Sequence, residues 1–577
     1  MSSEWEIVSG MFSGLLDENF APVAPVWSCQ CVACATSAGD GAGGATPGSY
    51  ATTPTDDAYR YVSQAYAPLQ NSVDNVAALM AGSKWTSVDA GTSRTTVTYS
   101  FASPLTSQYA YATTADFQAT LASFSEADKQ LTRELLGKIE SVCNVQFVEV
   151  ADNATECGVL RYGYSQQPNA MSFAGYAFFP SSVAMGGDIW IGAAQARPEW
   201  DFYRGDLILH ETLHAMGLKH PFDASGSVLA SSQNAIPNTV MSYSPIAGTT
   251  SGYMSRYPTE PMALDIAALQ YLYGASDTNA GNTVYDLADS SFQSGFRTLW
   301  DAGGSDVFDA SRIGHTVSLD LAGLSDLGVK VSATGYGSPS GTLRTTYTDT
   351  LAVAGNALIE NAVGSAYDDK LAGNTAGNQL LAGQGNDRLE GRGGNDLLDG
   401  GAGVDTAVFD GVRSAYVISR TATGHAVSGG STGDDALLNV ERLVFADGGV
   451  ALDLDGHAGA VAKILGAVFG ASAVDNAGYV AIGLQLADSG MGEEALMQLA
   501  LDVRLGGAHS DASVIALLQA NLMGAAADAE VPASYAPALE NGSLTQVQLG
   551  LLASNSALNA VNIDLIGLTA TGLEFAA

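Results

Sequence analysis

Asp369, Asn378, Asp387, Asp396 and Asp405 recur every nine residues, and Leu371, Leu380, Leu389, Leu398 and Ala407 keep the same phase. Two residue classes locked to one short period define an internal repeat, in which each unit covers its apolar side by stacking on the next. Three consecutive segments fit a glycine-rich nonapeptide pattern: Ala382-Gly-Gln-Gly-Asn-Asp387, Gly391-Arg-Gly-Gly-Asn-Asp396 and Gly400-Gly-Ala-Gly-Val-Asp405. Ala382 stands where the pattern expects glycine. Glycines permit tight turns whose carbonyls face a cation, and the Asp that follows supplies a carboxylate. The spacing predicts a parallel β-roll that binds calcium through Asp369, Asp387, Asp396 and Asp405, with weaker sites at Asn378 and in the outer repeats. Without the ion the stacked carboxylates repel, so folding is expected only at millimolar external calcium.

The rest of the 577-residue chain has room for three or four domains. Residues 1 to about 55 hold a Gly/Ala/Ser/Thr/Pro-rich stretch (Ala35 to Pro54) and read as a flexible leader or propeptide. A helical region is expected from Asp56 to about Met80. Ser125-Glu-Ala-Asp128 resembles a capping box that opens a helix with Leu131, Leu135, Ile139 and Val142 on one face. Alternation at Val145, Phe147 and Glu149 signals a strand, and Asp188-Ile-Trp-Ile191 a second. The mixture predicts an α/β domain over residues 56–276, followed by the repeat domain over 277–451. Residues 452–577 return to helical periodicity, with stripes at Val461, Ile464, Leu465 and Val468 and at Leu496, Leu499, Ala500 and Val503.

Charge narrows the partners. The 60 acidic residues against 23 basic ones give a formal net charge of −37. That balance argues against nucleic acid and anionic membranes, which reward positive charge. No apolar run reaches the length of a membrane span. The first basic residue is Arg60, and Glu4 and Glu6 precede it, so the positive region of a signal peptide is missing. The expectation is a cytosolic chain or export by a route that ignores the N-terminus. Five cysteines, an odd number, exclude a fully paired framework. Cys143 and Cys157 could form a disulfide outside the cell or remain two free thiols.

The chemistry sits in His210-Glu-Thr-Leu-His214-Ala-Met-Gly217-Leu-Lys-His220. Residues four apart share a helix face, so His210 and His214 present two imidazoles to one metal, with Glu211 beside the first. Gly217 can take the left-handed conformation that ends the helix and turns His220 to a third coordination corner. Three neutral nitrogens and an open position are the pattern of catalytic zinc. Glu211 is the expected general base, taking a proton from water and passing it to the leaving amine. Downstream, Asn238-Thr-Val-Met241-Ser-Tyr243 offers a methionine floor beneath the imidazoles and a tyrosine able to donate to an oxyanion. Only seven histidines occur in the chain, and His315, His425, His457 and His509 are scattered and read as ordinary.

This extended motif followed by Met241-Ser-Tyr243 resembles the metzincins, and within them the serralysins, secreted bacterial endopeptidases. The likeness extends to Tyr203-Arg-Gly-Asp206 before the helix, to Asp265-Ile-Ala-Ala-Leu-Gln-Tyr-Leu-Tyr-Gly274 and to Trp300-Asp-Ala-Gly-Gly-Ser-Asp306, covering roughly residues 80–415. The resemblance implies a multidomain protein: an α/β metzincin domain, an RTX-type calcium-binding β-roll and a mainly helical C-terminal domain. It implies zinc on His210, His214 and His220, Met241 as the methionine-turn residue, Tyr243 as a mobile tyrosine ligand, and Asp306 at the entry to the calcium region. It implies protein or peptide substrates and a monomeric, secreted, extracellular enzyme exported by type I machinery through a C-terminal signal. Phe222 stands where serralysins commonly have glycine, and the loop from His220 to Met241 differs from theirs, which bears on substrate preference more than on reaction type.

An extended peptide is expected to add along the strand Asp188 to Ile191 by main-chain hydrogen bonds. In the leader, Cys29, Cys31 or Cys34 could place a thiolate on zinc and hold the enzyme latent, or be ordinary solvated thiols. The helical tail has a role in export, surface attachment or substrate binding. Competing with the endopeptidase reading are a calcium-dependent surface or adhesion protein with a vestigial zinc domain, and a processing protease confined to its own leader or one partner.

Overall fold

A computed structural model describes residues 59–63, 74–87, 94–107, 115–153, 156–170, 172–181, 185–224, 226–338, 341–524 and 530–576. The chain divides into two compact units whose segments interleave. The first comprises residues 1–283, 289–305 and 323–358, and the second 284–288, 306–322 and 359–577. After residue 283 the chain returns twice to the first unit, and the C-terminal helices fall in the second unit with the repeats.

In the first unit, strands Thr95–Phe101 (β1), Val145–Glu149 (β2), Leu160–Ser165 (β3), Gly175–Ala177 (β4) and Asp188–Gly192 (β5) form one sheet in the order β2-β1-β3-β5-β4. Only β4 runs antiparallel to its neighbour. Every residue of β3 and β5 is buried, as expected of interior strands covered on both faces. The expectation that a peptide adds along Asp188 to Ile191 is corrected: β5 has a neighbour on each side, and β4 is the edge strand beside it.

Three helices pack with this sheet: Glu126–Val142 (α1), Asp201–Ala215 (α2) and Ala263–Tyr273 (α3). The Ser125 hydroxyl accepts from the Asp128 amide at 3.1 Å, which satisfies an otherwise orphaned donor of the first turn of α1. Leu135, Ile139 and Val142 are buried on the expected face. The Asp128 carboxylate also pairs with Arg204 at 3.1 Å, tying the start of α1 to the start of α2. From Arg204 to Ala215, α2 is buried all round, consistent with a helix running through the core.

One expectation changes, and one left open is decided. Tyr59–Ser63 is a strand, paired antiparallel with Ser83–Ser87, rather than part of a helix. Its Tyr-Arg-Tyr-Val-Ser sequence is rich in residues that favour a pleated surface. Cys143 and Cys157 are both free, and the buried Cys143 thiol donates to the Ile139 carbonyl at 3.3 Å. Cys29, Cys31, Cys34 and the leader lie outside the described residues.

In the second unit the nine-residue period becomes geometry. Successive repeats alternate between two parallel sheets, so one full turn takes eighteen residues: Lys370 pairs with Arg388, and Gln379 with Leu397. Leu319, Leu371, Leu389, Ala407 and Leu443 form one buried column, and Phe308, Ala362, Leu380, Leu398 and Leu437 another. The roll continues past the repeats into Gly433–Leu438 and Arg442–Phe445.

Helices then run from His457–Phe469 to Leu565–Thr571 around an apolar core containing Val461, Ile464, Leu465 and Val468. The second expected stripe is only half inside. Leu496 is buried, whereas Leu499 is 39% and Val503 68% exposed; Met497 and Leu501 take the inner face instead. The apolar C-terminus ends as a strand, Leu573–Phe575, antiparallel to Gly448–Ala451. Among the described residues no helix is long and apolar enough to cross a membrane.

Candidate metal centre and calcium ladder

His210 and His214 lie one turn apart on α2. The helix ends at Ala215, and Gly217 takes φ +103°, reversing the chain so that His220 comes back over the same face. The Nε2 atom of His220 then lies 3.2 Å from that of His210 and 3.0 Å from that of His214. Nδ1 of His210 contacts the Val240 carbonyl at 2.7 Å, and Nδ1 of His214 contacts the Leu218 carbonyl at 2.7 Å. A carbonyl only accepts, so each Nδ1 carries the proton and each Nε2 turns a lone pair inward. Burial lowers the pKa of all three imidazoles, that of His210 to about 4, so they remain neutral in physiological solution. Three neutral imidazoles whose Nε2 atoms converge, two of them with the lone pair fixed inward, fit a borderline-soft divalent cation such as zinc.

The floor is built by a carboxylate absent from the expected site residues. Asp265, at the start of α3, accepts from the Val240 amide and the Met262 amide at 2.9 Å each and from the Thr239 hydroxyl. Those bonds fix the turn that carries Met241, which is fully buried, and aim the Val240 carbonyl at His210. Tyr243, two residues on, places its hydroxyl 2.7 Å from Nε2 of His220. Glu211 is fully buried next to the outermost strand: a Cβ added at Gly175 would lie 3.0 Å from its Oε1. Two aromatic rings flank the imidazoles, Phe222, already noted in the sequence, and Phe179, which was not. Phe179 packs edge-on against His214, and Phe222 stacks on His220.

In the roll the repeat carboxylates form two ladders. In one, Oδ1 of Asp387 accepts from the Asp369 amide at 2.7 Å, Oδ1 of Asp405 from the Asp387 amide at 2.8 Å, and Oε2 of Glu441 from the Asp405 amide at 2.8 Å. In the other, Asp396 serves the Asn378 amide and Asp435 the Asp396 amide. Oδ2 of Asp387, Asp396 and Asp405 is buried with no hydrogen-bond partner among the described residues. A buried carboxylate oxygen left over in this way is costly, and oxygen donors from glycine-rich turns around it suit a hard cation such as calcium. The turns need glycine: at Gly403, φ is +149° and a Cβ would lie 1.7 Å from the Gly385 carbonyl. Asp369 differs from its neighbours, because both its oxygens accept hydrogen bonds from Val317 and Ser365. Asp306 is buried, with its amide on Glu360 at 2.8 Å.

Residues 373–407 match the RTX calcium-binding nonapeptide repeat in four copies. The serralysin of Proteus mirabilis is 32% identical over 280 residues, covering 43% of this chain and 54% of that protein. Serralysin B of Dickeya chrysanthemi is 28% identical over 275 residues, covering 43% and 53%. The chain is similar to serralysins and carries RTX repeats. It spans about half the length of the curated relatives it matches. Serralysin of Photorhabdus luminescens, at 28% identity over 276 residues, gives the same picture. The matched repeat is a calcium-binding one, and the three imidazoles are a group able to hold a metal ion.

Proposed function

We propose that the protein is a secreted zinc-dependent endopeptidase, with His210, His214 and His220 as zinc ligands and Glu211 as general base. The observation that carries the reading is the convergence of three neutral Nε2 atoms beside a fully buried glutamate. Zinc, when bound, supplies Lewis acidity toward the scissile carbonyl and toward a water molecule. Glu211 takes the water's proton as its oxygen adds to the carbonyl carbon, then delivers a proton to the departing amine as the C–N bond breaks. Tyr243, within reach of the ligand cluster, donates its hydroxyl to the oxygen on which negative charge develops. A substrate lying extended along β4 passes Glu211 and exchanges main-chain hydrogen bonds, a mode that reads little sequence.

Asp306, Asp369, Asp387, Asp396 and Asp405 are assigned to calcium, with Asp387, Asp396 and Asp405 favoured by their unpartnered oxygens. Folding of the roll in external calcium and export of a monomer by type I machinery complete the proposal. Casein clearance by the calcium-loaded protein, with and without a zinc chelator and in Glu211→Ala, tests it. The expected result is activity lost with the chelator and reduced about 100-fold or more in Glu211→Ala at unchanged zinc content. Processing of the leader without casein clearance would restrict the enzyme to a narrow target, and zinc-free protein with no hydrolysis would remove the reading.

A further inference from the structure

We propose that the turn from Gly373 to Asn378 holds no calcium: the Asn378 amide and the Arg392 guanidinium take the ion's place, giving the roll a rung that folds without metal. Neighbouring turns set the contrast. In Asp387, Asp396 and Asp405 one carboxylate oxygen is buried with no hydrogen-bond partner among the described residues, and a hard cation would satisfy it. Asn378 ends its turn at the same point and is just as buried. A Cβ on Gly373 would lie 2.2 Å from its Oδ1, as one on Gly391 would lie 2.1 Å from Oδ2 of Asp396. The amide oxygen thus occupies the place of the unpartnered carboxylate oxygen, but here it accepts from the Asn374 amide at 2.8 Å. Nδ2 of Asn378 donates to the Glu360 carbonyl at 2.7 Å and to Oδ1 of Asn374 at 3.1 Å. Asn374 also accepts from the Ala376 amide at 2.9 Å and donates to the Ile359 carbonyl at 2.7 Å. A side-chain amide carries donors and an acceptor together, so this turn satisfies itself where a carboxylate needs an ion.

Arg392 supplies the positive charge. Gly383 and Gly401 hold the second place of their turns at φ +115° and +92°. In the turn between them that place belongs to Arg392, at φ +68°. Left-handed backbone disfavours a side chain, so an arginine kept there points to what its guanidinium reaches. It donates to the Gly373 carbonyl at 2.9 Å and grips both oxygens of Asp320, at 2.7 and 2.8 Å. The carbonyl that opens the Asn378 turn therefore already faces a cation. A divalent ion brought to this turn would meet a neutral amide in place of a carboxylate, with a fixed positive charge beside it, and the repulsion opposes binding. Without calcium these bonds still tie Asp320, Ile359, Glu360, Gly373 and Arg392 together, a preformed step on which the ion-dependent turns stack when calcium arrives.

Hydrogen exchange on the full chain reads the proposal without any substitution. In chelator, amides of residues 374–379 should exchange about ten-fold or more slowly than those of 383–387 and 401–405, and added calcium should close the gap. Arg392→Gly relieves the strained backbone, so an arginine with no electrostatic role would leave the turn as well protected or better. The expected result is loss of protection at 374–379 in chelator. Asn378→Asp combined with Arg392→Gly introduces a carboxylate and removes the cation, and equilibrium dialysis should then count about one more bound calcium per chain than in wild type. Equal exchange of all three turns in chelator, unchanged protection in Arg392→Gly, or no additional calcium in a double variant that still forms the roll would overturn the proposal.

Discussion

Asp265 holds the amide of Val240 at 2.9 Å while the carbonyl of the same residue sets the orientation of His210. A short path of two hydrogen bonds through Val240 thus links the carboxylate to the His210 ring. Replacing it with alanine strips the acceptor from the Thr239 hydroxyl and from the Val240 and Met262 amides. Buried donors left unpaired cost about 1–3 kcal/mol each. Asp265→Ala should therefore weaken zinc binding by roughly 10–100-fold, as loss of an outer support typically does. Chelator competition monitored by metal content checks it, and unchanged affinity would separate the turn from the ligand.

Gly217 is irreplaceable on two grounds. Its φ of +103° strains any side chain, and a Cβ would lie 2.3 Å from the Ser83 carbonyl. Gly217→Ala should cost about 2 kcal/mol or more and lower the melting temperature by roughly 4–8 °C. A thermal melt of the zinc-free protein isolates this backbone effect from metal binding. A melting point equal to wild type would mean that the chain can end α2 in another way.

Tyr243→Phe removes a hydroxyl while keeping the ring that packs on His220 and Phe222. If the phenol acts on developing charge, kcat should fall about 100-fold or more with KM nearly unchanged. Steady-state kinetics on one peptide suffices, and a rise in KM alone would instead make Tyr243 a substrate-binding residue.

The calcium-stripped roll should weaken as pH rises. Burial, with neighbouring carboxylates adding to it, pushes Asp387 and Asp435 up to about 6 and Asp396 and Asp405 up to about 7. Groups whose folded-state pKa exceeds the unfolded value, about 3.9 for Asp, contribute stability in acid that is lost as pH climbs through 6 and 7. Circular dichroism without calcium should show more β structure at pH 5 than at pH 8, with calcium at pH 8 restoring it. A pH-independent signal in chelator would refute this coupling.

How much of this was legible in the residues depended on whether the signal was local. Helical spacing and a terminating glycine were enough to bring His210, His214 and His220 together, and Ser125 marked the start of α1. The repeat period located Asp387, Asp396 and Asp405, although a linear pattern could not show that neighbouring repeats belong to opposite sheets. Asp435 and Glu441 were invisible because they close the ladders from 39 and 36 residues away, beyond the contiguous run of nonapeptides. Asp265 lay in a recognised helix, but its role depends on a turn 25 residues earlier. The stripe at Leu499 and Val503 misled because helical periodicity reports a shared face without saying whether that face is covered.

Glu441 accepts the Asp405 amide from 36 residues further along the chain. A fragment ending soon after the last nonapeptide would possess every repeat and still lack the final rung on either side. Counting repeats therefore underestimates the smallest autonomous folding segment, whose C-terminal limit is set by the two acidic residues that close the stack.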